Sequence, residues 1–457
     1  MSIDLVADLR DLRGRFGGAL LAPGDPGWDD ARRPWHLDVD QHPAAVAFPE
    51  SEDDVIAVVL GASELGLRVA PQATGHNAAP LGRLDDTILL RTGAMRGVRV
   101  DPRRRFARVR AGALWQDVTP RAAEHGLVGL AGSSPNVGVV GYSLGGGLSW
   151  LARRYGLQAN HVTAVELVTA GGEHVRTDHQ HDPDLFWALR GGGGSFGIVT
   201  ALEFDLVALR EVYAGALVWD WRHAGPVLLR YSDWAQHAPD VVTTSARILQ
   251  LPAIPEVPEP LRDRQVVMID GAYLGDPEDG DTALEPLRAL RPEIDTFATM
   301  PAGALQRLHG DPEAPTPFVS EHRMLSALPR DAVEAFVETA GPESGSALLV
   351  AELRQLGGAL SRRPERHGAL PRLEGAFAMD AGGLALHDEM ALTSLVHARR
   401  LAMAMAPWDH GRRHLNFEEH PADARAFYDD DTHARLREVK AQMDPRSLIH
   451  ANHSIEA

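Results

Sequence analysis

The sequence predicts an α+β protein in which a first domain is completed by the C-terminal tail and a second α+β domain is inserted between the two. Three observations predict this organisation. The first two hundred residues alternate short strands with helices, the region after about residue 208 has longer and more widely spaced strands, and the last forty residues return to the first texture. The 457 residues are about three times the usual domain length, which also favours two or three structural units.

Composition narrows the class of protein. The chain is 44% apolar and 24% charged, as in an average globular protein, and it has no run of about 18 apolar residues that would cross a bilayer. Charged residues interrupt the N-terminal stretch MSIDLVADLRDLRGRF, which argues against a secretory signal peptide. The net charge of −18 disfavours binding to nucleic acid or to an anionic membrane surface. We therefore expect a cytoplasmic protein, monomeric or homodimeric.

Cysteine is absent from the chain, which excludes disulfides, thiolate catalysis and cysteine-ligated metals. His179 and His181, in the stretch DHQHD, are the nearest approach to a metal motif, but they precede a predicted helix and are expected to lie in a solvated turn. The sequence therefore predicts no metal site.

The elements of the first region follow from apolar periodicity and from turn residues. Ser51 and Asp54 form a capping signal for a helix that continues to about Leu65. Strands are predicted at residues 44–48, 68–71, 88–90, 98–100, 106–109, 162–168, 173–177 and 198–206, and further helices at 114–125, 150–155 and 182–189.

The inserted region and the tail are less regular. Strands are predicted at residues 241–250, 266–273 and 347–353, helices at 226–238 and 331–339, and surface loops at 251–260 and 309–317. The tail is predicted to form a short strand at 415–417 and a helix at 428–443.

Three glycine-rich segments could each surround a phosphate or a flat ligand. Residues 192–197 fit G-x-G-x-x-G, but they follow a helix and open a strand, which is the wrong context for a dinucleotide-binding loop. Residues 71–82 follow a strand and contain His76 among small residues that suit an anion-binding nest. Residues 132–147 are glycine-dense where a backbone would have to lie against a ligand, although a tight packing contact remains an alternative.

Taken together, the segments resemble a known family. The stretches are VAPQATGH at 69–76, SPNVG at 134–138 with its continuation to 147, residues 191–199, NF at 416–417, DP at 444–445 and ANH at 451–453. They resemble, in order along nearly the whole chain, the FAD-linked oxidases of the vanillyl-alcohol-oxidase (PCMH-type FAD-binding) superfamily, and within it the berberine-bridge-enzyme-like branch.

The resemblance implies a fold and a domain division. Residues 1–207 would form a PCMH-type FAD-binding domain of two α+β subdomains. Residues 208–410 would form a substrate domain whose antiparallel sheet, flanked by helices, covers the isoalloxazine ring. Residues 411–457 would be the C-terminal segment that returns to the FAD domain.

The resemblance also implies the cofactor, FAD, and the residues that bind it. His76 falls where this family attaches the flavin 8α-methyl group covalently. The residues that the resemblance places at the FAD are Gln72, Ala73, Thr74, Gly75, His76, Asn77, Ala78, Gly132, Ser133, Ser134, Pro135, Val137, Gly138, Gly141, Tyr142, Gly193, Gly197, Ile198, Val199, Asn416, Asn452 and His453.

Two departures from the family pattern limit what the resemblance implies. Many relatives have a cysteine for a second flavin bond where this chain has Ser134, so only a single link, through His76, is expected. Sugar- and cannabinoid-type relatives have a Tyr-x-Asn-Tyr motif whose second tyrosine is the catalytic base. Here the stretch reads HLNF and ends at Phe417, so that base and its substrates are not carried over.

Four residues are candidates for the chemistry. Glu352 and Arg354 lie on one face of a predicted strand, where a carboxylate could act as a base and an arginine could bind an anion, although an ion pair facing water is the alternative. His414 replaces a tyrosine and titrates near neutrality in model peptides. Tyr142 lies in the glycine run, where it could equally be packing. His322 is a weaker candidate.

We therefore expect an FAD-dependent oxidoreductase that oxidises a small organic substrate by hydride transfer to the flavin, with O2 as acceptor, in secondary metabolism. Three alternatives remain at the level of sequence: a flavin dehydrogenase with another acceptor, a flavin-bearing electron-relay subunit, and a non-redox cyclase that uses FAD as a scaffold.

Overall fold

The computed structural model describes residue 9 and residues 11–456 of the chain. Its first layer is a four-stranded sheet in which Ala45–Phe48, Thr87–Arg91 and Arg68–Gln72 pair in parallel and Ala19–Leu21 adds an antiparallel edge. The helix Glu52–Leu65 connects two of these strands and begins with the capping box that Ser51 and Asp54 predicted. The apolar residues of the helix and the sheet share one core.

A second sheet follows and is wholly antiparallel. Its strands lie in the order Val98–Asp101, Phe106–Arg110, Ile198–Asp205, Val162–Val168, His174–Asp178. The short helices Trp115–Ala123, Val139–Leu144 and Pro183–Leu189 pack on this sheet through a core that contains Trp115, Phe186 and Phe204. Two further short helices lie elsewhere: Trp28–Arg32 packs with the first sheet, and Ala152–Tyr155 packs in a separate apolar cluster. A two-stranded sheet pairs Leu127–Val128 with Val207–Ala208.

The inserted region is built around a single eight-stranded antiparallel sheet. Its strands lie in the order Ile294–Asp295, Glu211–Asp220, Arg264–Tyr273, Val242–Leu251, Val350–Gln355, Phe377–Leu384, Phe318–Leu325, and Ala298–Pro301 also pairs with the second of these. One face of this sheet shares an apolar core with the helices Ala224–Ala235, Pro277–Arg288, Arg330–Ala340 and Asp388–Ala404.

The pleat of this sheet decides which side chains are left for the other face. Ala351 and Leu353 pack into the core under the helices, so Glu352 and Arg354, which alternate with them, point to the opposite side. The strand is internal, since it pairs with Val242–Leu251 on one side and with Phe377–Leu384 on the other. Glu352 is accordingly buried and not part of a strand edge facing water.

The C-terminal tail packs against the first region. Its helix Asp430–Met443 contributes Leu436 and Val439 to the core of the second sheet. Lys440 is 1% exposed, and its Nζ donates to the Ser195 carbonyl at 2.8 Å and to Asp444 Oδ2 at 2.6 Å. The division of the chain into residues 1–207, 208–410 and 411–457 stays a prediction.

Three local predictions differ from the structure, and one helix was not predicted. The predicted strand 415–417 is a turn, because the Phe417 and Glu418 amides both donate to the His414 carbonyl. The predicted strand 347–353 begins three residues later, as Val350–Gln355. The predicted helix 150–155 covers only Ala152–Tyr155. The glycine run contains a helix, Val139–Leu144, that glycine content concealed.

No helix among the described residues is both long and apolar enough to cross a membrane.

Candidate active site

The glycine segments and the tail converge on one place, which we call the cofactor side: residues 72–78, 132–147, 414–418 and 452. A Cβ on Gly138 would lie 3.0 Å from Ala73 Cβ, so the loop and the glycine run are in direct contact. Asn77 Nδ2 donates to the Leu415 carbonyl at 3.0 Å, and the Asn77 carbonyl accepts from Asn452 Nδ2. Three stretches distant in sequence are thereby joined by hydrogen bonds.

His76 is half-buried at the centre of this convergence. Its ring stacks on Trp35 with centroids 4.2 Å apart and planes inclined by 15°. Nδ1 lies 2.6 Å from Thr74 Oγ1, and Nε2 lies 3.2 Å from Asn136 Oδ1. Burial lowers the pKa of His76 to about 4, against the opposing effect of the Asn136 hydrogen bond. The imidazole is therefore neutral near pH 7.

Gly145, Gly146 and Gly147 lie where an added side chain would clash with a neighbour or strain the backbone. Gly146 and Gly147 have φ of 117° and 75°, which L-residues rarely adopt. A Cβ on Gly145 would lie 2.4 Å from Asn416 Nδ2, and one on Gly146 would lie 3.0 Å from His414 Cε1. Asn416 Oδ1 accepts the Gly147 amide at 2.9 Å. The tail residues predicted at the cofactor thus face the predicted glycine run.

Other predicted cofactor residues are engaged with protein. Gln72 exchanges two hydrogen bonds with Gln41, at 3.0 and 3.1 Å. Ser133 Oγ donates to Asp311 Oδ2 at 2.6 Å, and Ser134 Oγ donates to Asn136 Oδ1 at 2.8 Å. Ala78, Pro135 and Gly138 are buried. Gly75, with φ of 84°, lies against Pro34. Gly132, Val137 and Gly141 belong to the same glycine-rich run, 132–147.

The third glycine segment touches this site at one end. The Gly193 amide donates to the Leu144 carbonyl at 3.1 Å, which joins the segment to the end of the glycine run. Gly197 packs its backbone on Leu167, while Ile198 and Val199 point into two separate apolar cores. His453 Nε2 donates to the Glu418 carbonyl, 3.1 Å away. The predicted contacts of these five residues with a cofactor would therefore be through backbone or through the other ring nitrogen of His453.

The residues present fit a flavin nucleotide. Several buried polar atoms lining the cofactor side have no partner within the described protein: Asn77 Oδ1, Ser143 Oγ, both amide atoms of Gln158 and both ring nitrogens of His414. Buried polar groups are normally hydrogen-bonded, so such a concentration indicates a ligand rich in acceptors and donors. The positive-φ glycines leave room for a planar group against backbone.

The opposite wall is the sheet face, where charged side chains form what we call the charged cluster: Ser245, Arg247, Asp270, His309, Glu352 and Arg354. Strand register explains the assembly, because Ser245 is paired with Asp270 on one side and with Arg354 on the other. Arg247 is likewise paired with Glu352. Side chains directly opposite each other on one face of a sheet interact.

Glu352 is the centre of the cluster. Its Oε1 accepts from Ser245 Oγ at 2.6 Å and from Arg354 Nε at 2.8 Å, and lies 3.5 Å from His309 Nε2. All three contacts fall on Oε1, which leaves Oε2 for a ligand. Burial would raise the pKa of Glu352, but the charges of Arg354 and His309 prevail and hold it well below its ordinary value. The carboxylate is thus ionised at neutral pH.

His309 joins Glu352 to a second carboxylate. Its Nδ1 lies 2.8 Å from Asp270 Oδ2, which also accepts from Arg247 Nη2 at 2.5 Å. Burial and the charge of Arg247 lower the pKa of His309, but the carboxylates of Asp270, Glu352 and Asp311 outweigh them and raise it to about 9. His309 is therefore a buried cation near pH 7, in a segment that the sequence predicted as a surface loop.

Arg354 reaches from the cluster toward the cofactor side. Its guanidinium carbon lies 5.3 Å from the Phe417 ring and 5.9 Å from the Trp150 ring, so it is held between two aromatic side chains. A small cavity opens here, lined by Ser133, Leu148, Ser149, Trp150, Thr243, Arg354 and Gln355. Trp150 Nε1 and Thr243 Oγ1 are buried without a partner in the described protein. These donors point to a substrate that carries acceptor oxygens.

The other candidate bases are poor proton acceptors near pH 7. Burial lowers the pKa of His414 to about 3, with smaller contributions from His322 and Arg354. Tyr142 donates its hydroxyl to the Leu130 carbonyl at 2.8 Å, and burial raises its pKa. It packs edge-on against Trp115. The prediction of a proton-accepting role for Tyr142 and His414 is therefore not favoured by their surroundings. His322 Nδ1 donates to the Met379 carbonyl at 3.1 Å, with its ring against Phe417.

Sequence reasoning missed His309, Asp270, Ser245 and Arg247. Asp270 is flanked by apolar residues and glycine in the middle of the strand Arg264–Tyr273, which was a signal for this aspartate. His309 lies in a loop whose composition gave no comparable signal. His181 pairs with Asp178 in an exposed turn, and no group of three or more His, Asp or Glu side chains within the described ranges could hold a metal ion.

Comparison with known proteins agrees with these features. The family model described as FAD binding domain matches residues 43–178. (R)-6-Hydroxynicotine oxidase of Paenarthrobacter nicotinovorans is 34% identical over 206 residues, which is 44% of each chain, so this match spans less than half of that relative. Xylooligosaccharide oxidase of Thermothelomyces thermophilus is 27% identical over 94% of this chain and 90% of its own.

The fold also matches solved structures over its whole length. The wild-type BBE-like 1 protein of Physcomitrella patens superposes with a TM-score of 0.86, covers 98% of each chain and is 20% identical. Sequence motifs, domain match and fold therefore agree: residues 43–178 match an FAD binding domain, the chain has the fold of a berberine-bridge-enzyme-like protein, and it is an FAD-linked oxidoreductase.

Proposed function

We propose that the protein oxidises a small organic molecule by hydride transfer from a substrate C–H to FAD, with the flavin attached covalently to His76 alone and with O2 as the electron acceptor. The observation that carries the proposal is the position of Arg354, which is hydrogen-bonded to Glu352 of the charged cluster and lines a cavity together with Trp150 and with Ser133 of the cofactor side. Secondary metabolism is the proposed setting. The names of relatives, which act on a nicotine derivative and on xylooligosaccharides, span two chemical classes and so do not fix the substrate.

In this proposal the chain's own residues bind, orient and accept a proton. FAD, when bound, supplies the two-electron acceptor for the hydride. Arg354 and the Trp150 indole N–H donate to a substrate oxygen and so orient the carbon to be oxidised. Glu352 Oε2 accepts the proton that leaves the oxidised group, because this oxygen is free while Oε1 is fixed by Ser245 and Arg354.

The lowered pKa of Glu352 has two consequences for this role. The carboxylate needs no deprotonation before substrate binds, but it is a weak base while Arg354 and His309 hold it. A substrate oxygen that takes over the Arg354 donors would relieve part of that effect and strengthen the base. Substrate binding and proton acceptance are thereby coupled through one arginine.

The test is anaerobic mixing of the purified protein with a panel that includes both enantiomers of 6-hydroxynicotine, xylobiose, glucooligosaccharides, benzylic alcohols and cyclic amines. An oxidised substrate should bleach the visible flavin absorption, and admission of air should restore it within the time of one turnover. Bleaching that air reverses only slowly, and that an artificial quinone reverses rapidly, would replace the oxidase by the dehydrogenase alternative.

A non-redox role is favoured by one observation. Phe417 occupies the place of the tyrosine base and its ring is packed against His322, His414 and Arg354, so no phenol reaches the pocket from the tail. Product formation from a panel compound without any bleaching under anaerobic conditions would support a cyclase and contradict the oxidase.

A further inference from the structure

Attachment of a flavin to a histidine requires that one ring nitrogen have a free lone pair, and the surroundings of His76 determine which nitrogen that is. An imidazole bonds to carbon through the ring nitrogen that carries a lone pair, and the other nitrogen then carries the hydrogen. In a neutral histidine either nitrogen can be the one with the hydrogen, so the neighbours decide which is reactive.

Here Asn136 determines which nitrogen of His76 carries the hydrogen, because the orientation of its amide is fixed by a contact with another residue. Asn136 Nδ2 lies 2.7 Å from the Glu313 carbonyl oxygen, which only accepts, so the amide nitrogen must be on that side. Asn136 Oδ1 therefore faces His76, and it also accepts from Ser134 Oγ at 2.8 Å. An amide oxygen cannot donate, so the His76 nitrogen opposite it carries the hydrogen.

That nitrogen is Nε2, which lies 3.2 Å from Asn136 Oδ1. Nδ1 consequently has the lone pair, and Thr74 Oγ1, 2.6 Å away, donates its hydroxyl hydrogen to it. The Trp35 ring, stacked 4.2 Å from the imidazole, prevents the rotation of the His76 ring that would exchange the two nitrogens. The two hydrogen bonds and the stacking interaction select the same tautomer.

We infer that Asn136 is the positioning residue that holds His76 in the tautomer whose Nδ1 forms the bond to FAD. The inference rests on the proposed covalent attachment at His76. Nδ1 would bond to the flavin 8α-carbon while one hydrogen of that methyl group leaves as a proton. The electron pair of the broken C–H bond would leave the flavin reduced by two electrons until O2, the proposed electron acceptor, reoxidises it. The ring keeps its Nε2 hydrogen and becomes a cation, whose N–H Asn136 Oδ1 accepts.

Ser134 supports this arrangement through a hydrogen bond to Asn136. The resemblance placed a second flavin bond at this position in many relatives, through cysteine. Here the serine hydroxyl is directed to Asn136 Oδ1, so it supports the residue that orients His76. Glu313 comes from the inserted region, so the orientation of His76 also depends on the contact of residues 309–317 with the cofactor side.

The experiment compares the flavin that stays with the protein after acid precipitation in four proteins, each purified with its flavin: wild type, His76→Ala, Asn136→Ala and Asn136→Asp. We expect covalent flavin in the wild type, none in His76→Ala, and about 5- to 100-fold slower attachment in Asn136→Ala, from the loss of a hydrogen bond to the reacting ring. Asn136→Asp keeps an acceptor toward Nε2 and should restore most of the attachment.

Two further readouts separate an orienting role from a merely structural one. Total FAD per protein, measured before precipitation, should be equal in Asn136→Ala and wild type, because only the bond and not the binding is affected. In ¹⁵N-histidine-labelled wild type, the nitrogen shifts of the flavin-bearing histidine should identify Nδ1 as the linked atom.

The outcomes are distinct. Linkage through Nε2, or full attachment in Asn136→Ala, would overturn the role of Asn136 and leave the proposed function intact. Release of all flavin from the wild type into the supernatant would overturn both the link and the inference. If Asn136→Ala fails to fold, Asn136→Asp and the ¹⁵N shifts of the wild type decide: attachment lost in Asn136→Asp would overturn the inference, and a link at Nδ1 would support it.

Discussion

The two walls of the candidate site are built on different principles. The cofactor side uses glycine backbone, short polar side chains and neutral histidines, of which His76 and His414 have lowered pKa values. The charged cluster on the sheet uses long ionised side chains from three adjacent strands and a cationic histidine, His309. A wall of backbone suits a ligand of one fixed shape, whereas a wall of charged side chains suits chemistry and can differ between relatives without changing the fold. Under the proposed function, cofactor and substrate would therefore be recognised by separate parts of the molecule that can vary independently.

The largest effect expected from this difference is at Glu352. Glu352→Gln keeps the size and the contacts of Oε1 but removes the base, so flavin reduction by a substrate found in the panel should slow by about 10²- to 10⁴-fold. FAD content should not change, because the cofactor side is untouched. Anaerobic stopped-flow at saturating substrate measures the rate.

The matched control is Glu293→Gln, which changes an exposed glutamate paired with Arg264 at the far edge of the same sheet. It should leave the rate within about twofold, because surface ion pairs contribute little. Equal rates in Glu352→Gln and wild type would remove the charged cluster from the chemistry.

How much the sequence could predict follows the same division. Residues 72–77 and 132–147 could be proposed as cofactor-binding from the sequence because backbone nests and glycine-rich turns are formed by contiguous residues. Glu352 and Arg354 were placed on one face by the strand period of two. His309 and Asp270 were missed because their meeting depends on which strands are neighbours and on the path of a loop, and both are non-local. Phe417 was predicted in a strand but is in a turn, since the His414 carbonyl accepts two amides there.

The two walls should also respond to pH with opposite sign. The pKa of His309 rises from 6.5 to about 9 on folding, so its stabilising effect is complete below pH 6.5 and is lost as pH rises through about 9. The pKa of His414 falls to about 3, so the unfolded chain binds a proton that the folded one does not. Stability due to His414 is therefore complete above pH 6.5 and is lost as pH falls toward about 3.

Urea unfolding across this pH range measures both effects. His309→Gln should flatten the alkaline limb of stability against pH and leave the acid limb, while His414→Gln should do the reverse. If both variants flatten the same limb, the contrast in charge between the walls is wrong.

A smaller effect is expected at Gly145, where an added side chain would clash with a neighbour. Gly145→Ala would place a Cβ 2.4 Å from Asn416 Nδ2, so the asparagine must move and its hydrogen bond with the Gly147 amide is lost. We expect a loss of about 1–3 kcal/mol in the free energy of unfolding and lower flavin occupancy. The control is Gly225→Ala, at a helix position with no atom within 4 Å, which should gain up to about 1 kcal/mol.

The smallest effect distinguishes a hydroxyl group whose partner would be a ligand from one whose partner is another side chain of the protein. Thr243 and Thr244 are adjacent on one strand of the sheet. Thr243 Oγ1 is buried at the cavity without a partner in the described protein, whereas Thr244 Oγ1 donates to Gln355 Oε1 at 2.9 Å. Thr243→Val should therefore leave the ligand-free protein equally or slightly more stable, by up to about 1 kcal/mol, and Thr244→Val should cost about 1–3 kcal/mol by leaving the amide unpaired.

In Thr243→Val, substrate affinity should fall although stability does not. Thr243→Val should raise the KM of the panel substrate several-fold with kcat little changed, because the hydroxyl is exchanged for a methyl group where a ligand oxygen would bind. Thr244→Val should leave KM within about twofold once its lower stability is allowed for. A stability loss in Thr243→Val as large as that in Thr244→Val would mean that its hydroxyl already has a partner, so the cavity would no longer be a site whose polar groups await the substrate.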